Sequence, residues 1–186
     1  MLKKFLNINK YIKISAVVLF FFLFIFLLFG HTLQKQVVEE YQNRESLIIK
    51  DRFGKEIFIK LNSGGYWARY LDNVPDRFKK LLIKKEDKYF YYHLGFNPGS
   101  TFQAALNYLG IGNRKASSTI TQQLVKILLK KESERNLKNK IIEAFYALSL
   151  EIYHSKEDIL KMYVNSIYLG NQAQGLSEAS RLYFNL

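Results

Sequence analysis

The most extended pattern in the chain is an unbroken apolar one. From Ile14 to Gln34 no residue carries a formal charge, and AVVLFFFLFIFLLFG, Ala16 to Gly30, is almost wholly apolar. As a helix, that run is long enough to cross a hydrocarbon core of about 30 Å. Lys3, Lys4, Lys10 and Lys13 precede it in a basic tail over residues 1–13. By the positive-inside rule that tail stays in the cytoplasm and everything after Gln34 lies on the outer side. A cleaved signal peptide would need a shorter core and a small-x-small site, and Phe29-Gly30-His31-Thr32-Leu33 offers none. Residues 14–34 therefore read as an uncleaved, single-pass signal anchor. Gln34 to Gln42 reads as a polar helical stalk, within a linking segment over residues 35–46.

Beyond residue 46 the period first shortens and then lengthens. Leu47 to Asp51 and Lys55 to Lys60 are β-branched or alternating runs around Arg52-Phe53-Gly54, which predicts a hairpin with Gly54 in the turn. From Pro75 the spacing is helical: Phe78, Leu81 and Leu82 form a stripe leading into Glu86. Asn97-Pro98-Gly99-Ser100 breaks the chain before a helix carrying Phe102, Ala105, Leu106 and Leu109, which Gly110 and Gly112 end. Thr119 with Gln122 predicts a capping box opening a helix from Ile120 to Lys131, and Ser155 with Asp158 predicts another before Ile159, Leu160, Tyr163, Val164 and Ile167. Between them, over Glu134 to Tyr153, the apolar residues Leu137, Ile141, Ala144, Phe145, Leu148 and Ile152 fall on one face. A last helix begins near Leu176. The fold class is mainly α, with one small N-terminal hairpin after the membrane helix.

Composition narrows the chemistry. With 186 residues there is room for one domain, and 48% apolar residues with 15 Phe and 13 Tyr exclude a disordered chain. The absence of cysteine removes disulfides, thiolate metal sites and cysteine nucleophiles together. His31, His93 and His154 are too scattered to suggest a histidine metal site. The net charge is +12, of which +8 remains once the four lysines of the tail are set aside. A basic domain tethered outside the cytoplasm is drawn to anionic head groups and anionic substrates, and its topology argues against nucleic acid.

Three places could carry chemistry. Asn136, Lys140, Glu143 and Ala147 form a second stripe on the helix around residue 143, apart from its apolar face. It reads either as a solvated face with one weak i, i+3 ion pair or as a functional carboxylate and ammonium. Gln122 and Lys126 stand at i, i+4 on a helix apolar almost all round, which favours a polar cleft over a dry core. EDKYFYYHLG, Glu86 to Gly95, reads either as a helix end with Tyr89, Phe90 and Tyr92 packed down and Glu86 exposed, or as a carboxylate whose pKa neighbouring rings raise for general base work.

EDKYFYYHLG, SSTITQQ (Ser117 to Gln123), NKIIE (Asn139 to Glu143) and KEDILKMYVNSIYLGN (Lys156 to Asn171) resemble, in order and at fitting separations, four successive motifs of one family. It is the peptidoglycan glycosyltransferase domain of class A penicillin-binding proteins and monofunctional transglycosylases. DRFGKEI (Asp51 to Ile57) with YWARYLDNVP (Tyr66 to Pro75) is most similar to the 1C type. The resemblance covers residues 47–186 and implies a lysozyme-like helical domain on the outer face of the bacterial cytoplasmic membrane. There it would polymerise lipid II into β-1,4 glycan for the cell wall and cell shape, by an inverting reaction that releases polyprenyl pyrophosphate.

By that resemblance Glu86 matches the general base. Glu143 matches the second glutamate, which assists pyrophosphate departure directly or through a divalent cation, magnesium or manganese, with no organic cofactor. Lys126, Arg135 and Lys140 match basic positions that bind the donor phosphates, and Ser118, Thr119, Gln122 and Gln123 match the polar cleft lining. The implied partners are lipid II, the growing glycan strand, the membrane and other cell-wall synthesis proteins.

The chain departs from the family at Ala116-Ser117, where two glycines are usual, and at Asn139, where the third motif usually has Arg. It also stops at RLYFNL, Arg181 to Leu186, where the family domain continues, so the domain is expected to be C-terminally incomplete. Two competing readings are a lytic enzyme of related lysozyme-like shape, which would need no phosphate-binding cations, and a non-catalytic scaffold that binds precursors.

Overall fold

The computed structural model describes residues 2–97, 99, 106, 110, 118–129 and 137–185, leaving aside the side chains of residues 2–14, 19, 22, 23, 25 and 137. In chain order the elements are α1 (Leu2–Gln42), β1 (Leu47–Lys50), β2 (Glu56–Lys60), β3 (Trp67–Ala68), α2 (Asp76–Glu86), α3 (Ile120–Leu128), α4 (Leu137–Tyr153), α5 (Lys156–Ser166), β4 (Ala173–Gln174) and α6 (Leu176–Phe184). A short 3-10 turn covers Phe90–Tyr92. The architecture is mainly helical with one small hairpin, consistent with a lysozyme-like domain.

Local signals were realised closely. β1 and β2 pair antiparallel with Leu47 opposite Lys60 and Ile49 opposite Phe58. Their turn is closed by the Asp51 carboxylate, which accepts from the Phe53 and Lys55 amides at 2.8 and 2.9 Å, and by Gly54 at φ +81. Thr119 caps α3 through a complete capping box: its hydroxyl accepts from the Gln122 amide at 3.1 Å, and the Gln122 side chain accepts from the Thr119 amide at 3.2 Å. Ser155 caps α5 by accepting from the Asp158 amide at 3.1 Å. The helix expected around Phe102 to Leu109 lies almost wholly outside the described residues, as do residues 130–136.

The core is where α3, α4 and α5 meet. Phe90, Ile120, Leu124, Val125, Leu128, Ala147, Leu150, Ile159 and Leu160 are fully or almost fully buried there. This arrangement corrects the expected face of α4. Ile141, Phe145 and Ile152 are exposed by 45%, 49% and 43%, whereas Tyr146, Ala147 and Leu150 turn inward. α4 is apolar on more than one side, so its own periodicity does not decide which side is buried; the neighbours do.

The segment read as a stalk is helical but is not free of the domain. Val37 is fully buried in the core, with Leu33, Val38 and Tyr41 packed against it. The second half of α1 lies along α4: Tyr146 donates to Gln36 Oε1 at 2.8 Å, Tyr153 donates to the Leu27 carbonyl at 2.8 Å, and the Phe26 and Phe145 rings are 6.1 Å apart. Among the described residues no helix is long and apolar enough to cross a membrane. The side chains of Leu19, Phe22, Leu23 and Ile25, inside the expected span, lie outside the described residues.

One pH effect follows from the α1–α4 contact. His154 Nε2 donates to Gln34 Oε1 at 2.8 Å, and Gln34 Nε2 lies 3.3 Å from His31 Nδ1. Burial holds the His154 pKa below its ordinary 6.5, with the charge of Asp158 opposing. The unfolded chain therefore takes up this proton first on acidification. The contribution is complete above pH 6.5 and is lost as the pH falls from there through the folded value. The thermal midpoint is expected to drop between about pH 7.5 and pH 5.5, and His154→Gln, which keeps a donor to Gln34, should flatten that part of the curve.

Candidate active site

Glu86 is the last residue of α2, and the chain turns sharply at Asp87. A helix end presents that carboxylate beside the start of α3. Gln123 Nε2 approaches Glu86 Oε2 at 3.4 Å and the Ser118 carbonyl at 3.5 Å, both long contacts. Its other end is fixed more firmly, because Tyr163 on α5 donates to Gln123 Oε1 at 2.8 Å. Burial, with a smaller effect from the charge of Glu86, pushes the Tyr163 hydroxyl up to about 12, so it stays protonated and holds the amide with its NH2 towards Glu86.

From Ser118 the polar line continues to α4. Lys140 Nζ donates to Ser118 Oγ at 2.9 Å and pairs with Glu143 Oε2 at 3.1 Å. The Lys140 and Glu143 side chains are 17% and 12% exposed, and Ala147 one turn on is fully buried. Of the stripe expected on this helix, Lys140, Glu143 and Ala147 face inward and do not form a solvated face, and Asn136 lies outside the described residues. Glu86 and Glu143, on separate helices, stand at the two ends of one ridge running through Gln123, Ser118 and Lys140.

Other expected site residues are placed differently. Thr119 and Gln122 are 3% and 1% exposed and form the capping box that frames α3, while Gln122 Nε2 is buried without a hydrogen-bond partner among the described residues. Lys126 is exposed one turn beyond Gln123 on α3. Arg135 lies outside the described residues. Of the three rings that the helix-end reading packs down, Phe90 is buried, while Tyr89 and Tyr92 are 61% and 87% exposed.

Two residues of the same segment are more closely engaged than the sequence suggested. Asp87 Oδ2 accepts from the Ile120 amide at 3.0 Å, at the N-terminus of α3 where an anion is favoured. His93 Nε2 lies 2.9 Å from that same oxygen, and His93 Nδ1 accepts from the Gly95 amide at 3.1 Å. Because Nδ1 is an acceptor, the neutral ring carries its proton on Nε2 and donates it to Asp87.

Among the described residues no group of three or more His, Asp or Glu side chains is gathered for a metal ion. Glu143 offers one carboxylate, with Oε2 shared with Lys140. That donor set fits a magnesium-like ion only where substrate phosphates supply other ligands.

The site thus places two carboxylates on separate helices of a mainly helical domain, at the ends of a ridge that carries a lysine. A family description, Transglycosylase, matches residues 55–186. The chain is 41% identical over 115 residues to penicillin-binding protein 1A of Escherichia coli strain K12, covering 61% of this chain and 13% of that protein. It is 38% identical over 113 residues to a monofunctional glycosyltransferase of Staphylococcus haemolyticus, covering 61% of this chain and 42% of that protein. With penicillin-binding protein 1A/1B of Bacillus subtilis it shares 35% over 144 residues, 76% of this chain and 15% of the relative. The chain belongs to the transglycosylase family found in class A penicillin-binding proteins, and it spans less than half the length of each of these relatives.

Proposed function

We propose that this protein is a membrane-anchored peptidoglycan glycosyltransferase that polymerises lipid II with inversion at the donor sugar. The observation that carries this reading is the ridge with Glu86 at one end and the Lys140–Glu143 pair at the other. Inverting displacement needs a base on one side of the sugar and leaving-group stabilisation on the other, which requires two separated acidic positions.

In this reading the acceptor 4-hydroxyl oxygen bonds to the donor anomeric carbon while Glu86 takes its proton. The bond from that carbon to the phosphate oxygen breaks, and the electron pair leaves with the polyprenyl pyrophosphate. Lys140, Lys126 and Arg135 meet the charge that develops, and Gln123 orients Glu86. Ser118 holds Lys140. Glu143 would hold a magnesium or manganese ion arriving with the donor phosphates, which supplies further neutralisation of the leaving group. Residues 14–34 would anchor the chain with its N-terminus inside, so that the ridge meets lipid-linked substrate at the outer surface of the bacterial membrane. The growing glycan strand is then the second substrate. Similarity to the 1C type rests on DRFGKEI and YWARYLDNVP alone.

The test is the full chain in bilayers with lipid II and magnesium. Polymeric glycan with release of the polyprenyl pyrophosphate is expected, with Lys140→Ala lowering the rate at least about tenfold through lost phosphate binding. Cleavage of preformed glycan, unchanged by Lys126→Ala and Arg135→Ala, would replace this reading with a lytic one. Lipid II binding without turnover would leave a scaffold.

A further inference from the structure

Lys156, the first residue of α5, makes close contacts with both α4 and the segment that follows Glu86. Its ammonium lies 2.7 Å from Glu151 Oε2 on α4, donates to the His93 carbonyl at 2.6 Å and sits 4.6 Å from the centroid of the Phe90 ring. The Glu151 side chain is only 3% exposed, and its second oxygen accepts from the Thr121 hydroxyl of α3 at 2.6 Å. One cation thus ties the segment after Glu86 to α4 and, through Glu151, to α3.

That segment is a closed strap. It is fastened to α3 at its start, where Asp87 accepts from Ile120, and at its end, where the Thr119 hydroxyl donates to the Gly95 carbonyl at 2.6 Å. His93 bridges the two fastenings from inside, and Lys156 holds the His93 backbone in place. A nearly sealed ion pair is a poor source of net stability, since well-packed apolar side chains would serve as well. Its geometry instead gives direction: two charge-assisted hydrogen bonds and a cation–π contact from one ammonium fix where the strap lies against two helices.

We propose that Lys156 and Glu151 are positioning residues, which set the His93–Asp87 clasp and, through it, the place of the Glu86 carboxylate beside Gln123. This rests on the glycosyltransferase reading for its consequence in rate. Neither residue touches Ser118, Lys140 or Glu143, so substrate binding should be little affected while the placement of the base loosens. A small misplacement of a reacting group is costly in turnover.

The experiment compares the full-length wild type in bilayers with Lys156→Met, Glu151→Gln and the double variant, measuring lipid II turnover and amide hydrogen exchange. The double variant removes both charges, so a buried carboxylate is not left alone and folding is retained. It should show kcat lowered about 10²-fold at nearly unchanged KM, with exchange at the Ile120 and Gly95 amides at least about tenfold faster and exchange within α5 at Leu160 unchanged. Lys156→Arg should recover part of the loss in kcat. Wild-type kcat in the double variant, or exchange that rises equally at Leu160, would overturn the positioning role. An inactive wild type would overturn the glycosyltransferase reading instead, and the exchange comparison alone would then decide whether the pair sets the clasp.

Discussion

Glu86→Gln is expected to lower lipid II polymerisation about 10²–10⁴-fold, the usual contribution of a positioned general base. The unfolding midpoint should stay within about 2 °C of wild type, as for substitutions that disturb neither the core nor a strong polar contact. The two expectations are separable because of how Glu86 is held. It forms no ion pair among the described residues, and its one hydrogen bond there is the long 3.4 Å contact from Gln123. The amide of Gln123 is oriented by Tyr163 regardless of what occupies position 86. An isosteric amide therefore removes the proton acceptor and little else. A variant that keeps wild-type turnover would move the base elsewhere, and a variant that unfolds would make Glu86 a structural group.

The parts of this protein that were legible in its sequence are those whose partners are close along the chain. The Thr119–Gln122 capping box and the Gly54 hairpin follow from residue types a few positions apart, and both formed as expected. The inward stripe on α4 was legible as a stripe but not as inward. Lys140 and Glu143 meet each other at i, i+3 wherever the helix points, and the contact with Ser118, contributed from before α3, shows that they turn towards α3. The same limit applies to α1, whose polar residues after Gln34 looked like a stalk because the surface they meet on α4 comes more than a hundred residues later, as with Gln36 and Tyr146 at a separation of 110. Thr119 and Gln122 carry a related ambiguity. A capping box and a polar cleft lining use the same residue types, and burial decides between them. The strap was legible as a motif, but its fastenings join residues 33 and 63 positions apart, Asp87 with Ile120 and His93 with Lys156, which no periodicity encodes.

Gly95→Ala should be among the most destabilising single-methyl additions in the protein, and comparison with Gly54→Ala isolates the reason. Both glycines have positive φ, +80 and +81, so both substitutions carry the backbone cost of about 1–2 kcal/mol. Around Gly54 nothing lies within 4 Å of the added carbon, whereas at Gly95 it would stand 2.7 Å from Glu151 Cγ and 2.8 Å from the Ala147 carbonyl oxygen. The carbonyl belongs to the backbone of α4 and cannot swing aside, and Glu151 is held by Lys156 and Thr121. Relief has to come from lifting the strap, which adds an overpacking cost of about 1–3 kcal/mol. Gly95→Ala is therefore expected to lower stability by about 2–5 kcal/mol in all, against about 1–2 for Gly54→Ala, in parallel denaturant unfolding. A lifted strap also carries the Asp87–His93 clasp away from α3, so the Gly95 variant should lose turnover while the Gly54 variant keeps it. Equal destabilisation by the two would mean that the strap does not approach α4 closely, and the route from Lys156 to Glu86 would lose its physical basis.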